Sequence, residues 1–200
     1  MSVLLVHSHF GPTPPAFTSA IAEARVVSVR ERQLTAEDFA NAQGLITTTH
    51  LDQVGFMAHA EAVKTLLDRG GRWFFNGHIL RNFVDGLEIY RPLEKPKRPD
   101  YALTRLAEHP IFAGIEQKSL EENKGVAGFY GRGYNPLPPG GLAVNGIGPE
   151  RHPIDWEWRC PQGGRIFSHA GNDLGGMGGE TGAGKLLTER IIAWCSGEIG

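Results

Sequence analysis

The sequence predicts an α/β fold, an open and mostly parallel sheet with helices on both faces and a long Gly/Pro-rich loop region. Three observations carry this. Residues 3–6 (VLLV) form a short continuous apolar run, the pattern of a strand covered on both faces. Through residue 76, strand-like and helix-like segments alternate without a hairpin signal, which requires right-handed crossovers between parallel strands. Glycine pairs, Gly70-Gly71 and Gly163-Gly164, mark sharp stops immediately before apolar runs.

The elements follow in order. After the first strand comes His7-Ser8-His9-Phe10-Gly11, then a Pro-rich lead (Pro12, Pro14, Pro15) into a helix at 16–24 and a strand at 26–29. Thr35 with Asp38 reads as a capping box opening a brief helix before a strand at 44–48. Residues 55–69 have helical spacing, with Phe56, Ala60, Val63, Leu66 and Leu67 on one face, and the strand 72–75 follows the glycine stop. Residues 86–98 are less regular and end in a charged, Pro-containing run. A helix is expected at 101–108, up to His109-Pro110. From 125 to 148 the density of Gly, Pro, Tyr and Asn predicts an extended loop or edge hairpin over the sheet. Residues 154–158 (IDWEW) alternate as a half-exposed strand, 165–168 return as another, and a helix at 184–195 closes the domain.

Two hundred residues suit a single domain, here 1–200. Net charge is −2 with scattered basic residues and a pI near 6.4, so no footprint for nucleic acid or an anionic membrane surface is present. The expected partner is a small-molecule ligand or a protein. Cys160 and Cys195 stand in unlike contexts without a CxxC, which argues against a zinc knuckle or disulfide framework and fits a reducing, cytoplasmic setting. No segment approaches 18 uninterrupted apolar residues.

Ligands of open α/β sheets bind beyond the carboxyl ends of the strands. Five of the eight histidines fall at such exits: His7 and His9, His50, His78 after Asn76-Gly77, and His169 with Asn172 and Asp173 beyond it. Imidazole titrates near neutrality and serves as base, acid or ligand. The plainer reading of any one of them is a loop side chain bonded to a backbone carbonyl. His78 stands out because it follows the strand-Gly-turn at which α/β hydrolases and amidotransferases present a nucleophile. His169 stands out because Asp173, four residues on, is close enough to orient its ring.

Three phrases together resemble the class I glutamine amidotransferase-like superfamily, in particular its trehalose-utilisation (ThuA-like) branch. They are Gly70-Gly71-Arg72-Trp73-Phe74-Phe75-Asn76-Gly77-His78, His109-Pro110-Ile111-Phe112-Ala113-Gly114-Ile115 and Gly163-Gly164-Arg165-Ile166-Phe167-Ser168-His169-Ala170-Gly171. Their order and spacing agree over about three-quarters of the chain. The resemblance implies a flavodoxin-like sheet, a homodimer and a sugar- or polyol-type ligand held between His78 and His169. It also exposes a departure. Glutaminases need an elbow cysteine, whereas this elbow reads Asn76-Gly77-His78 with both cysteines far off in sequence.

Three further features of the sequence bear on function. Residues 179–185 (GETGAGK) have Walker A spacing, but Leu186 replaces the magnesium-holding Ser/Thr and no strand directly precedes, so the segment reads as a glycine lead into the last helix. No cofactor is required by the sequence; a divalent metal is the one candidate, with His7, His9, His50, His78 and His169 as its available ligands. Tyr130 and Tyr134, in the Gly-rich stretch, could stack on a sugar, although aromatics on strands more often fill a sheet-helix interface.

The expectation is a ThuA-like protein in which His78, His169 and Asp173 form the reactive set, lined by His7, His9, His50, Asn76, Gly77, Tyr134 and Asn172, with hydrolysis by activated water as the chemistry open to it. The alternative is a non-catalytic amidotransferase-fold module acting through dimerisation or partner docking.

Overall fold

A computed structural model describes residues 2–121, 126–161, 163–177 and 182–200. Strands β1 (Ser2–His7), β2 (Val26–Arg30), β3 (Ala42–Thr47) and β4 (Arg72–Asn76) form from the apolar runs seen in the sequence. Next in the chain come the two-residue β5 (Arg91–Pro92), β6 (Leu103–Arg105) and the two-residue β7 (Gly133–Tyr134). The last three are β8 (Leu142–Ile147), β9 (His152–Arg159) and β10 (Arg165–His169). Among the described residues eight of these make one sheet in the order β2-β1-β3-β4-β10-β9-β8-β6, while β5 and β7 pair as a small ribbon. The first five run parallel, and β9, β8 and β6 extend the sheet antiparallel. This is the α/β flavodoxin-like architecture that the sequence predicts.

Both faces are covered, which is why the β1 run is continuously apolar. Val3 and Leu5 join the core beneath the final helix, α6 (Ala183–Cys195), whereas Leu4 and Val6 join the opposite core. There α2 (Ala36–Asn41) packs on α4 (Ala60–Asp68), which follows the one-turn α3 (Gln53–Phe56) and buries Val63, Leu66 and Leu67, while the short α5 (Gln117–Glu121) buries Leu120 in the first core. The Thr35 capping box forms, with Asp38 returning a bond to the Thr35 amide at 2.7 Å. The helix expected at 16–24 is shorter, α1 (Thr18–Ala22), after a 3₁₀ turn at Pro15–Phe17.

Two expectations are corrected. Residues 101–108 are not helical: a 3₁₀ turn (Arg98–Tyr101) gives way to strand β6, whose Leu103 is buried and whose backbone pairs with β8. Proline at 99 and 110 confines any helix there, and sheet pairing wins. The stretch 125–148 is not wholly loop, because Leu142–Ile147 is an interior strand flanked by β9 and β6. Gly125 itself lies outside the described residues, as do Gly179, Glu180 and Thr181 of the Walker-like segment. Lys185 of that segment lies in the first turns of α6.

Candidate functional site

Strand β4 ends at the buried Asn76, and Gly77 then takes a φ of +100°, a backbone region that favours glycine. A Cβ here would also stand 3.1 Å from the Thr49 Cα. The turn is braced on both sides. Gly77 donates its N–H to the His169 carbonyl at 2.8 Å, and the fully buried Asn135 donates to the Gly77 carbonyl at 2.9 Å while accepting from the Ile79 amide. Gln53 clamps the outside, donating to the His78 carbonyl at 2.7 Å and accepting from the Leu80 amide.

So held, His78 presents its ring at the surface, stacked face to face on Tyr90 with centroids 3.6 Å apart. Desolvation against this packing, with repulsion from His169, lowers its pKa below the usual 6.5, so the imidazole is neutral at physiological pH. It lines a cleft of about 300 Å³ together with Thr49, Phe129, Arg132, Gly171 and Asn172. Hydroxyl, amide, guanidinium and neutral imidazole thus face one space. The strap carrying Phe129 is tied down by the Gly131–Gly171 bridge and by the Asn172 amide, which donates to the Phe129 carbonyl at 2.6 Å.

His169 lies directly behind this wall and is fully buried. Its Nδ1 bonds Asp155 at 2.6 Å, and the same carboxylate accepts from the Tyr130 hydroxyl at 2.5 Å and the Asn145 amide at 2.6 Å. Three hydrogen bonds thus converge on one buried carboxyl group and satisfy it away from water. Burial and Asp155 push the Tyr130 phenol pKa well above its ordinary value, keeping it a donor. The His169 Nε2 is buried with no partner among the described residues, and a Cβ on Gly171 would come within 2.7 Å of it.

The expected set therefore divides. His78 and His169 do meet at the carboxyl rim, one in the cleft and one in the dry layer behind it. Asp173 does not orient His169; it accepts from the Thr49 amide at 2.7 Å and the Thr49 hydroxyl at 3.1 Å, so it positions a cleft hydroxyl instead. Sequence proximity favours Asp173, but cross-strand register makes Asp155 the direct neighbour of His169. Asn76 is a tether rather than a ligand group, donating to the Thr47 carbonyl and accepting from the Leu174 amide. Tyr134 stacks on His152 at 4.2 Å and lines a different cavity, of about 760 Å³, with Arg91, Glu94 and Glu150. Tyr130 is fully buried and has no face for a sugar.

His7, His9 and His50 gather apart from the cleft lining, their rings in series at 5.7 and 5.0 Å. Among the described residues no group of three or more His, Cys, Asp or Glu side chains is placed to hold a metal ion. Both cysteines are buried, and burial pushes the Cys160 thiol up to about 11 and Cys195 higher still. Neither reaches the elbow as a nucleophile.

No family model matches the chain, and no curated protein matches its sequence. Solved structures match its fold. The mmIFT52 N-terminal domain is 15% identical with a TM-score of 0.60, covering 98% of this chain and 97% of that one. A putative ThuA-like protein from Bacteroides uniformis is 12% identical with a TM-score of 0.53, over 97% of this chain and 90% of its own. A putative GMP synthase subunit from Thermoplasma acidophilum is 11% identical with a TM-score of 0.58, over 99% of this chain and 96% of its own. At these identities the likeness is one of fold. No helix among the described residues is long and apolar enough to cross a membrane.

Proposed function

We propose that this chain is a ThuA-like small-molecule-binding protein whose ligand, of sugar or polyol type, occupies the cleft at the elbow, with His78 as the group that meets it. One observation carries the reading: a neutral imidazole, held on Tyr90 at the Gly77 turn, shares a cleft with Thr49, Arg132 and Asn172. A neutral imidazole accepts a hydroxyl proton, while the guanidinium and carboxamide donate to hydroxyl oxygens. Phe129 offers an apolar wall for the C–H face of a ring. The cleft is at the low end of ligand pockets, which span about 300–1,000 Å³, and so suits a monosaccharide-sized ligand rather than an oligosaccharide.

The chemistry open to this set is general-base activation of water by His78, not acyl transfer through a covalent intermediate. His169 supports the wall, and its link to Asp155 fixes the strand end from which Gly77 hangs.

Thermal unfolding against a panel of pentoses, hexoses and their alditols tests the proposal. A ligand at about 100 times its Kd stabilises by about 2.7 kcal/mol. The expected result is a panel member that raises Tm for the wild type and not for His78→Ala, a surface change that leaves the fold intact. A panel without effect, or an unchanged response in His78→Ala, overturns it.

A further inference from the structure

We infer that the occupant of the elbow cleft is an acidic sugar, a molecule of monosaccharide or alditol size carrying one terminal oxyanion, and that Arg132 receives this anion. The inference rests on the cleft reading above and adds to it the charge of the ligand.

The lining of the cleft carries charge of one sign. Thr49, Asn172 and the neutral His78 are polar but uncharged, and the remainder is glycine, valine and phenylalanine. Among the described residues that line it, the Arg132 guanidinium is therefore the single charged group, and none is a carboxylate. Asp173 stands behind Thr49 rather than in the lining, with its carboxylate accepting from the Thr49 amide and hydroxyl.

The guanidinium is positioned without being neutralised. Its carbon lies 5.9 Å from the centroid of the Tyr101 ring, and one nitrogen donates a long bond of 3.4 Å to the Ala127 carbonyl. Arg25, Arg91 and Arg165 each meet a glutamate, whereas among the described residues no carboxylate pairs with Arg132. Its charge also reaches Tyr90, the ring on which His78 is stacked: burial raises the Tyr90 phenol pKa and the Arg132 charge works against that rise. The cation thus stands beside the imidazole that meets the sugar.

The backbone is shaped to seat this side chain. Gly128 has a φ of +69°, and a Cβ there would stand 3.0 Å from the Tyr101 ring and 3.1 Å from the Arg132 Cγ, so glycine lets the strap pass between them. The Arg132 carbonyl accepts from the Leu93 amide at 3.0 Å, and the next residue, Gly133, pairs with Pro92 in the β5–β7 ribbon. A planar guanidinium fork matches a carboxylate or phosphate, which share this oxyanion chemistry, better than it matches a lone hydroxyl. With no acid in the lining, the complementary charge falls to the ligand, while His78, Thr49 and Asn172 remain for its hydroxyls.

The probes are glucose, gluconate, glucuronate and glucose 6-phosphate, titrated by calorimetry at one ionic strength against the wild type, Arg132→Gln and His78→Ala. The expected result is that at least one acid binds the wild type about tenfold or more tightly than glucose does, the worth of a charge-assisted hydrogen bond. Which acid binds tells carboxylate chemistry from phosphate chemistry. In Arg132→Gln, an exposed position whose folding circular dichroism confirms, the ratio of acid to glucose affinity collapses toward one. Arg132→Lys, which keeps the charge and loses the fork, retains part of it. The inference is overturned if none of the acids binds, if glucose binds as tightly as they do, or if the folded Arg132→Gln keeps the wild-type ratio. The cleft reading itself is decided separately by the neutral panel, and acid binding that His78→Ala leaves untouched removes both.

Discussion

The His169 imidazole and the Asp155 carboxylate face each other across two antiparallel strands, 2.6 Å apart and both without solvent exposure. The dyad occupies the layer immediately behind the cleft, and the carbonyl of His169 carries the Gly77 turn. Asp155→Asn tests how much of the fold leans on it. An asparagine would turn an N–H₂ toward donors that now converge on a carboxylate, leaving at least one of Tyr130, Asn145 and His169 unpaired. Breaking a buried charged network of this kind costs about 3–5 kcal/mol. Urea unfolding is the measurement, and a loss below about 1 kcal/mol would show that the network is dispensable.

Gly171 is the thin point between dyad and cleft. A methyl group there would strike the Tyr130 carbonyl and come within 2.7 Å of the His169 Nε2. Gly171→Ala should therefore cost about 1–3 kcal/mol through backbone displacement and should also reshape the cleft beside Asn172. Gly11→Ala is the control, since a Cβ there meets nothing within 4 Å among the described residues; its effect should stay within about 0.5 kcal/mol. Equal stability of the two variants would contradict the close approach.

The sequence reveals the rim because parallel strands announce themselves as continuous apolar runs, and each run is followed by its polar exit. That much places His78 beside His169. It does not reveal Asp155, because the alternation of residues 154–158 reads as a strand with one face in water, whereas Asp155 is wholly buried between Asn145 and His169. A lone acid between Ile154 and Trp156 is the available signal, and only antiparallel register, which a single strand's pattern does not encode, gives it a partner. Asn135 and Asn145 are hidden for a similar reason: turn-rich composition disguises residues that brace the elbow and the dyad.

The two cysteines offer a check on the absence of a thiol nucleophile at the elbow. Cys160 and Cys195 are 2% and 1% exposed, and desolvation holds both thiols protonated. Neither should react with a disulfide reagent in the native protein at neutral pH, and both should react once the chain is unfolded. A thiol titrating rapidly in the native state would contradict the burial.

Acid should destabilise the protein in two stages, the first led by the buried His7 and the second by Glu157. In the unfolded chain His7 titrates near 6.5, whereas burial, with the charges of His9 and Arg30, lowers its pKa in the folded state. Its stability contribution is thus fully present above 6.5 and is lost as pH falls from there through the lower folded value, because the unfolded chain takes up the proton first. Glu157 acts later. Burial would raise its pKa, but the hydrogen bond from His109 at 2.7 Å and the charges of His109 and Arg165 outweigh that and hold it below 4.5. Its contribution is present above 4.5 and is lost as pH falls through its folded value. Urea midpoints measured from neutral pH downward should therefore decline in two steps. His7→Gln should shrink the first, leaving the share of His78, whose folded pKa is also lowered, and should leave the second intact, while Glu157→Gln should remove the second at a lower starting stability. A wild-type midpoint that stays flat until carboxylates titrate would show that His7 is not held neutral by the fold.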